Sequence, residues 1–137
     1  MPGAEPKKPV ADSVVPCAPR IKIESFSGSM LDQPFACQIM HLADCYWIWV
    51  GTGSSPCLAN LSTAVQTRFD AMPLATTVVG SDLNEGPGMA QRLSRRLGKM
   101  IFVSCDFKGV EQEHGLAAYI ERQLLARLSP SESKTNS

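Results

Sequence analysis

The sequence predicts an α+β fold, a single domain in which a mostly antiparallel sheet of about six strands carries two helices. Three observations predict it. Extended segments with alternating or β-branched residues come first in the chain. Segments with apolar residues three and four apart come late. Between them, the run Tyr46-Trp47-Ile48-Trp49-Val50-Gly51 has the aromatic and β-branched composition of a strand that anchors a sheet.

Each element has its own justification. Ile21 to Phe26 alternates apolar and polar, which predicts a half-buried strand. In the next segment Phe35, Cys37, Ile39 and His41 share one face, and Ala36, Gln38, Met40 and Leu42 share the other. Both faces are rather apolar, so this strand is expected to be covered on both sides. Asp44 marks a tight turn into the strand Cys45 to Val50, and Gly51-Thr-Gly-Ser-Ser-Pro56 ends that strand as a loop. Leu58 to Phe69 fits two patterns: a helical face through Leu58, Leu61 and Val65, or alternation through Leu61, Thr63, Val65, Thr67 and Phe69. The strand reading is preferred. Pro73 to Val79 is a strand, with Thr and Val dominating Ala75-Thr-Thr-Val-Val79. Gly80 to Gly88 reads as a polar, glycine-rich loop. Met89, Leu93 and Leu97 then define a helix that Gly98 stops. Met100 to Phe107 is a further strand, and the stretch from Pro73 through the helix to Phe107 can make a parallel crossover. Leu116, Ile120, Leu124 and Leu128 mark a C-terminal amphipathic helix, which Pro130 keeps from extending. Five prolines within residues 1–20 predict a disordered tail, and residues 129–137 read the same way, leaving a folded domain over 21–128.

Composition excludes several classes. The chain has 137 residues, 44% of them hydrophobic, enough for one buried core. Basic and acidic residues balance at 13 each, which argues against a general nucleic-acid binder and a polybasic membrane-surface protein. No apolar run approaches the roughly 20 residues that span a bilayer, and the start Met-Pro-Gly-Ala-Glu-Pro lacks the apolar stretch of a secretory signal. The five cysteines (Cys17, Cys37, Cys45, Cys57 and Cys105) show no paired metal spacing and are odd in number, so free thiols in a reducing compartment are expected. The sequon at Asn60-Leu61-Ser62 is then expected to stay unmodified.

Few constellations point to chemistry. Cys37, His41 and Cys45 are four apart, a spacing that would share a helix face but has no such meaning across a strand and its turn. A thiol nucleophile would need His41 or His114 as its base, and no local sequence supports the pairing. Gly51-Thr-Gly-Ser-Ser lacks the lysine a phosphate-cradling loop requires, and Asp82-Leu-Asn-Glu85 lacks calcium-loop spacing. No catalytic residue, metal ligand or cofactor is assigned. Two features suggest protein binding instead. Arg92, Arg95, Arg96 and Lys99 alternate with the apolar positions of the first helix, and no acidic residue lies between Glu85 and Asp106. They form either a solvated face or a patch that steers an acidic partner. Trp47 and Trp49 point to one side of their strand and Tyr46, Ile48 and Val50 to the other, so the strand needs packing on both sides. One side can meet the domain's own helices. The other meets a second layer of the same chain or a second subunit.

Five runs, in order, carry a resemblance: Ile39-Met40-His41-Leu42-Ala43-Asp44 with Trp47-Ile48-Trp49-Val50-Gly51; Leu58 to Val65; Arg68 to Gly80; Gly88 to Arg96; and Lys99 to Ser104. Over roughly residues 22–127 the chain resembles the proteasome assembly chaperone 4 family. The resemblance implies a small α+β domain without a catalytic centre. It implies a heterodimer with proteasome assembly chaperone 3, which supports assembly of the alpha ring of the 20S core particle on its beta-facing side and leaves before maturation. It further implies binding to alpha-type subunits, alpha type 5 in particular, and residence in the cytoplasm and nucleus. A homodimer in the absence of the partner is a further expectation. Trp47 and Trp49 of the aromatic strand, together with the C-terminal helix, are the candidates for the chaperone contact, and Arg92, Arg95 and Arg96 for the ring subunit. The proline-rich tail and the Gly51–Cys57 loop look longer than in the family, and the ending Thr135-Asn136-Ser137 lacks the hydrophobic-Tyr tail that inserts into alpha-ring pockets. The rival readings are an adaptor of longin or profilin type for another complex, and a thiol-dependent enzyme.

Overall fold

The computed structural model describes residues 14–52, 57–81, 84–107, 110 and 113–129. The expectations for residues 1–13, for the glycine-serine loop at 53–56, for Asp82 and Leu83, and for Pro130 and the residues after it lie outside these. The elements run β1 (Lys22–Met30), β2 (Gln33–Leu42), β3 (Cys45–Gly51), β4 (Leu61–Val65), β5 (Leu74–Val79), α1 (Gly86–Leu97), β6 (Met100–Asp106) and α2 (Glu113–Leu128). This is the expected α+β domain, with one six-stranded sheet and two helices.

The strands lie in the order β1-β2-β3-β6-β4-β5. All neighbours are antiparallel except β3 and β6, which run parallel with Trp47 beside Phe102. Two tight turns build the β1–β2–β3 meander. Leu31 and Asp32 both take positive φ, and so does Asp44, at the turn the sequence indicates. The crossover β5-α1-β6 joins parallel strands as expected, with β4 interposed between them.

Both helices cover one face of the sheet. Phe35, Cys37 and Ile39 of β2, Ile48 and Val50 of β3, Ala64 of β4 and Ile101, Val103 and Cys105 of β6 pack in one core with Met89, Ala90 and Leu93 of α1 and Leu116, Ile120, Leu124 and Leu128 of α2. Burying each large aliphatic side chain contributes about 1.5–3 kcal/mol, so this layer is the main source of stability. Ring contacts extend it to the sheet edge: Phe35 meets Tyr119 edge-on, and the Arg127 guanidinium lies 3.8 Å above the Phe26 ring.

Three local expectations change. Among the described residues, no element covers the Ala36, Gln38, Met40 and Leu42 face of β2. The β4 strand spans Leu61–Val65 rather than running from Leu58 to Phe69. Side-chain turns take over there, with Phe69 N–H donating to Thr67 Oγ1 and Met72 N–H to Asp70 Oδ1. The loop after β5 ends earlier than Gly88, since α1 starts at Gly86 with Pro87 in its first turn, where the missing N–H costs nothing. At its other end Gly98 sits at φ +70° and its N–H donates to Ser94 O, the stop expected from sequence.

Candidate protein-interaction site

The face of the sheet turned away from the helices is the most distinctive surface of the molecule. Register places Ile23, Ser25 and Ser27 of β1, Ala36, Gln38 and Met40 of β2, Trp47 and Trp49 of β3, Phe102 and Ser104 of β6, Thr63 and Val65 of β4, and Leu74, Thr76 and Val78 of β5 on it. Trp47 stacks on Phe102 with centroids 5.2 Å apart and planes 20° from parallel, at the centre of the sheet. Met40 lies beside Trp47 on the other flank. Trp49 reaches toward the carbonyl of Cys57, 3.5 Å away. The one charged residue on this side is Asp106. It is buried, accepts the Cys57 N–H at 2.8 Å, and ties the following loop to the end of β6, where Thr52 also donates to its carbonyl. Otherwise the strand positions on this face are free of charge from edge to edge. Six strands about 4.8 Å apart make it roughly 24 Å wide. Trp47 and Trp49 thus point away from the domain's own helices, and this chain supplies no second layer over them among the described residues.

The three candidate arginines do not form one patch. On α1 they diverge: Arg92 turns to α2, where its Nε lies 2.9 and 3.0 Å from the two carboxylate oxygens of Glu121. Arg95 turns to the β4–β5 loop and lies 4.0 Å from Met72 Sδ. Arg96 lines a groove with Arg122, Leu125 and Ala126 of α2. Lys99 lies 5.9 Å from the Tyr46 ring. The sequence shows no acid near Arg92 in the chain, but the fold brings one from the second helix.

Comparison with known proteins gives this surface a context. The family model described as proteasome assembly chaperone 4 matches residues 34–107, which contain all five runs. Proteasome assembly chaperone 4 of Homo sapiens is 31% identical over 104 residues, covering 75% of this chain and 83% of the human one. Its Mus musculus counterpart is 31% identical over 97 residues, 70% and 77% of the two chains. The chain belongs to the proteasome assembly chaperone 4 family. A solved structure described as a novel chaperone complex for yeast 20S proteasome assembly contains a similar chain, with a TM-score of 0.59 over 80% of this chain and 98% of that one. At 16% identity the likeness is one of fold. The stretch matched by the family model runs from β2 through β6 and includes the Trp47–Phe102 pair and all three candidate arginines of α1.

In this family member the thiols and imidazoles are kept apart. Cys37 and His41 lie on the helix-facing side and Cys45 on the open side, so the four-residue spacing brings no ligand set together. His41 Nε2 is 3.1 Å from Glu24 Oε1 and meets Tyr46 edge-on, while His114 contacts Glu85. Burial pushes the Cys37 thiol up to about 12 and raises Cys105 further. Among the described residues no three His, Cys, Asp or Glu side chains are grouped to hold a metal. The sequon asparagine serves the sheet. Asn60 Nδ2 donates to Cys105 O at 2.6 Å and its Oδ1 accepts Cys105 N–H at 3.1 Å, continuing the β4–β6 ladder where the β4–β5 register slips.

Sequence reasoning misses several surface residues. It marks Phe102 only as part of a strand, and the place of Phe102 beside Trp47 depends on the parallel pairing of strands far apart in sequence. Phe69 is 91% exposed at the tip of the β4–β5 loop, next to the Val65–Leu74 pair that closes the open face. Arg122 joins Arg96 only through helix packing.

Proposed function

We propose that this chain is a non-catalytic assembly chaperone of the 20S proteasome, forming a heterodimer with proteasome assembly chaperone 3 through its open sheet face. The pair holds alpha-type subunits, alpha type 5 in particular, while the alpha ring of the core particle forms, and it dissociates before the particle matures. The observation that carries the reading is the sheet face centred on Trp47 and Phe102, which exposes no charge, in a chain that belongs to this family. A second sheet laid on that face would bury both aromatics and the Met40, Val65 and Leu74 side chains around them. It would bury no unpaired charge, since Asp106 already has its partner. Trp47 and Trp49 are then contacts for the sister chaperone. The arginines of α1 lie on the helical layer, away from that face; Arg95 and Arg96 are exposed there for a ring subunit, while Arg92 is paired with Glu121. Residence in the cytoplasm and nucleus follows from the same reading, as does self-pairing of the isolated chain through this face.

The test is co-expression with chaperone 3 and alpha type 5, followed by size-exclusion chromatography. The expected result is a stable pair of the two chaperones that captures the ring subunit. Elution of this chain apart from both would overturn the proposal.

A further inference from the structure

The helical layer carries a second surface of different chemistry. The groove between α1 and α2 has a volume of about 350 Å³ and is lined by Arg96, Arg122, Leu125, Ala126 and Ser129. Its two arginines come from different helices and border the same space. The nearby Arg92 is held by Glu121, which is thereby occupied. Arg96 and Arg122 have no acidic partner among the described residues. A helix C-terminus attracts cations, and Arg96 stands in the last turn of α1, so its position alone has an ordinary explanation. Arg122 sits in the middle of α2, away from both helix ends, and is exposed; on its other side it borders a cavity with Glu85, Arg92 and Glu121.

We propose that this groove is a docking site for an acidic segment of a protein partner, an inference that builds on the chaperone reading by giving the ring-subunit contact its chemistry. Carboxylates of such a segment pair bidentately with the planar forks of Arg96 and Arg122. Half-buried Leu125 and exposed Ala126 offer apolar contact between them. Because the groove is on the outer side of the helices and the Trp47 face on the other side of the sheet, both surfaces can be occupied at once. Glu121, next to Arg122 in the chain, is held by Arg92 rather than by the groove arginines.

Two independent arms test this. In the first, a fluorescein-labelled peptide of repeated Glu-Glu-Leu and its Gln-Gln-Leu counterpart are titrated with the full chain by fluorescence anisotropy. Arg96→Glu/Arg122→Glu is compared with Arg20→Glu/Arg68→Glu, which makes the same change in net charge at exposed positions outside the groove. The groove variant is expected to lose at least about tenfold in affinity for the acidic peptide, with the control close to wild type and the glutamine peptide not binding. Equal loss in both variants, no loss in the groove variant, or equal binding of the glutamine peptide would each overturn the proposal. Thermal melts confirm that each variant is folded. In the second arm, the same variants are co-expressed with chaperone 3 and alpha type 5. The groove variant is expected to keep the chaperone pair and release the ring subunit, and retention of both would overturn the assignment. If wild type captures neither protein, the chaperone reading fails, while the peptide arm still decides the groove.

Discussion

Gln38→Glu isolates the role of the open sheet face. Gln38 is exposed on β2, across from Trp49 on one side and Ser25 on the other, and its Nε2 makes only a long 3.5 Å contact with Ser25 Oγ. The substitution keeps the side-chain shape and adds one charge to a surface that otherwise exposes none. In the free chain the carboxylate is solvated, and a surface change of this kind shifts stability by no more than about 0.5 kcal/mol. In the proposed heterodimer the same carboxylate would be buried against a second sheet without a partner, which costs about 3–5 kcal/mol. That corresponds to a loss of roughly 150- to 4,000-fold in affinity for chaperone 3. Thermal unfolding of the isolated chain and isothermal titration with the partner measure the two quantities separately. An unchanged melt with strongly weakened pairing is the expected result. Wild-type affinity in a folded Gln38→Glu chain would refute the reasoning and move the partner contact elsewhere.

Other consequences follow from particular contacts. Gly80 has φ +86°, and a Cβ there would lie 2.9 Å from the Ala59 carbonyl oxygen, so Gly80→Ala is expected to destabilise the fold by about 2 kcal/mol in chemical denaturation. Glu24 has a lowered pKa: burial raises it, but hydrogen bonds from His41 and Arg127 outweigh that effect. Its contribution is therefore present above the ordinary carboxylate range and is lost as pH falls through the lowered folded-state value. Glu24→Gln should cost about 1 kcal/mol near neutral pH and should flatten the loss of stability between about pH 5 and pH 3, as read from melts across that range. Cys37 and Cys105 should stay unreactive toward a thiol reagent at neutral pH until the protein unfolds, while exposed Cys17 and Cys57 react at once. Prompt reaction of either buried thiol would revive the thiol-enzyme reading.

Much of the fold was legible because its signals are local. Asp44 at a two-strand turn, Gly98 at a helix stop and the four-residue spacing of Leu116, Ile120, Leu124 and Leu128 each act within a few residues, and each stands where the sequence placed it. What was not legible depends on strands and helices meeting at long range. The parallel β3–β6 pairing inserts β6 between β3 and β4, and only that insertion puts Phe102 against Trp47. Likewise Glu121 reaches Arg92 because the crossover lays α1 against α2. The alternation continues in sequence through Thr67 and Phe69, yet the Thr67 and Asp70 side chains capture backbone N–H groups and end the strand. Pattern alone could not decide which face of Trp47 was the inner one, since both faces of β3 are apolar.

That ambiguity has a physical resolution in the two sides of the sheet. Ile48 and Val50 are fully buried beneath the helices, whereas Trp47 and Trp49 on the opposite side are only half-covered by their own strand neighbours. A sheet meant to face water on one side normally alternates apolar with polar or charged residues. Here the outward positions of the central strands include Met40, Trp47, Trp49 and Phe102 beside Gln38 and Ser104, and lysine, arginine and glutamate are missing from them. Covering that face adds hydrophobic free energy that the isolated chain does not have. By mass action, the apparent stability of the fold should then rise with the concentration of whatever covers it. A melting temperature that climbs on addition of chaperone 3, and does so less for Gln38→Glu, would tie the aromatic strand to its partner by thermodynamics rather than by likeness.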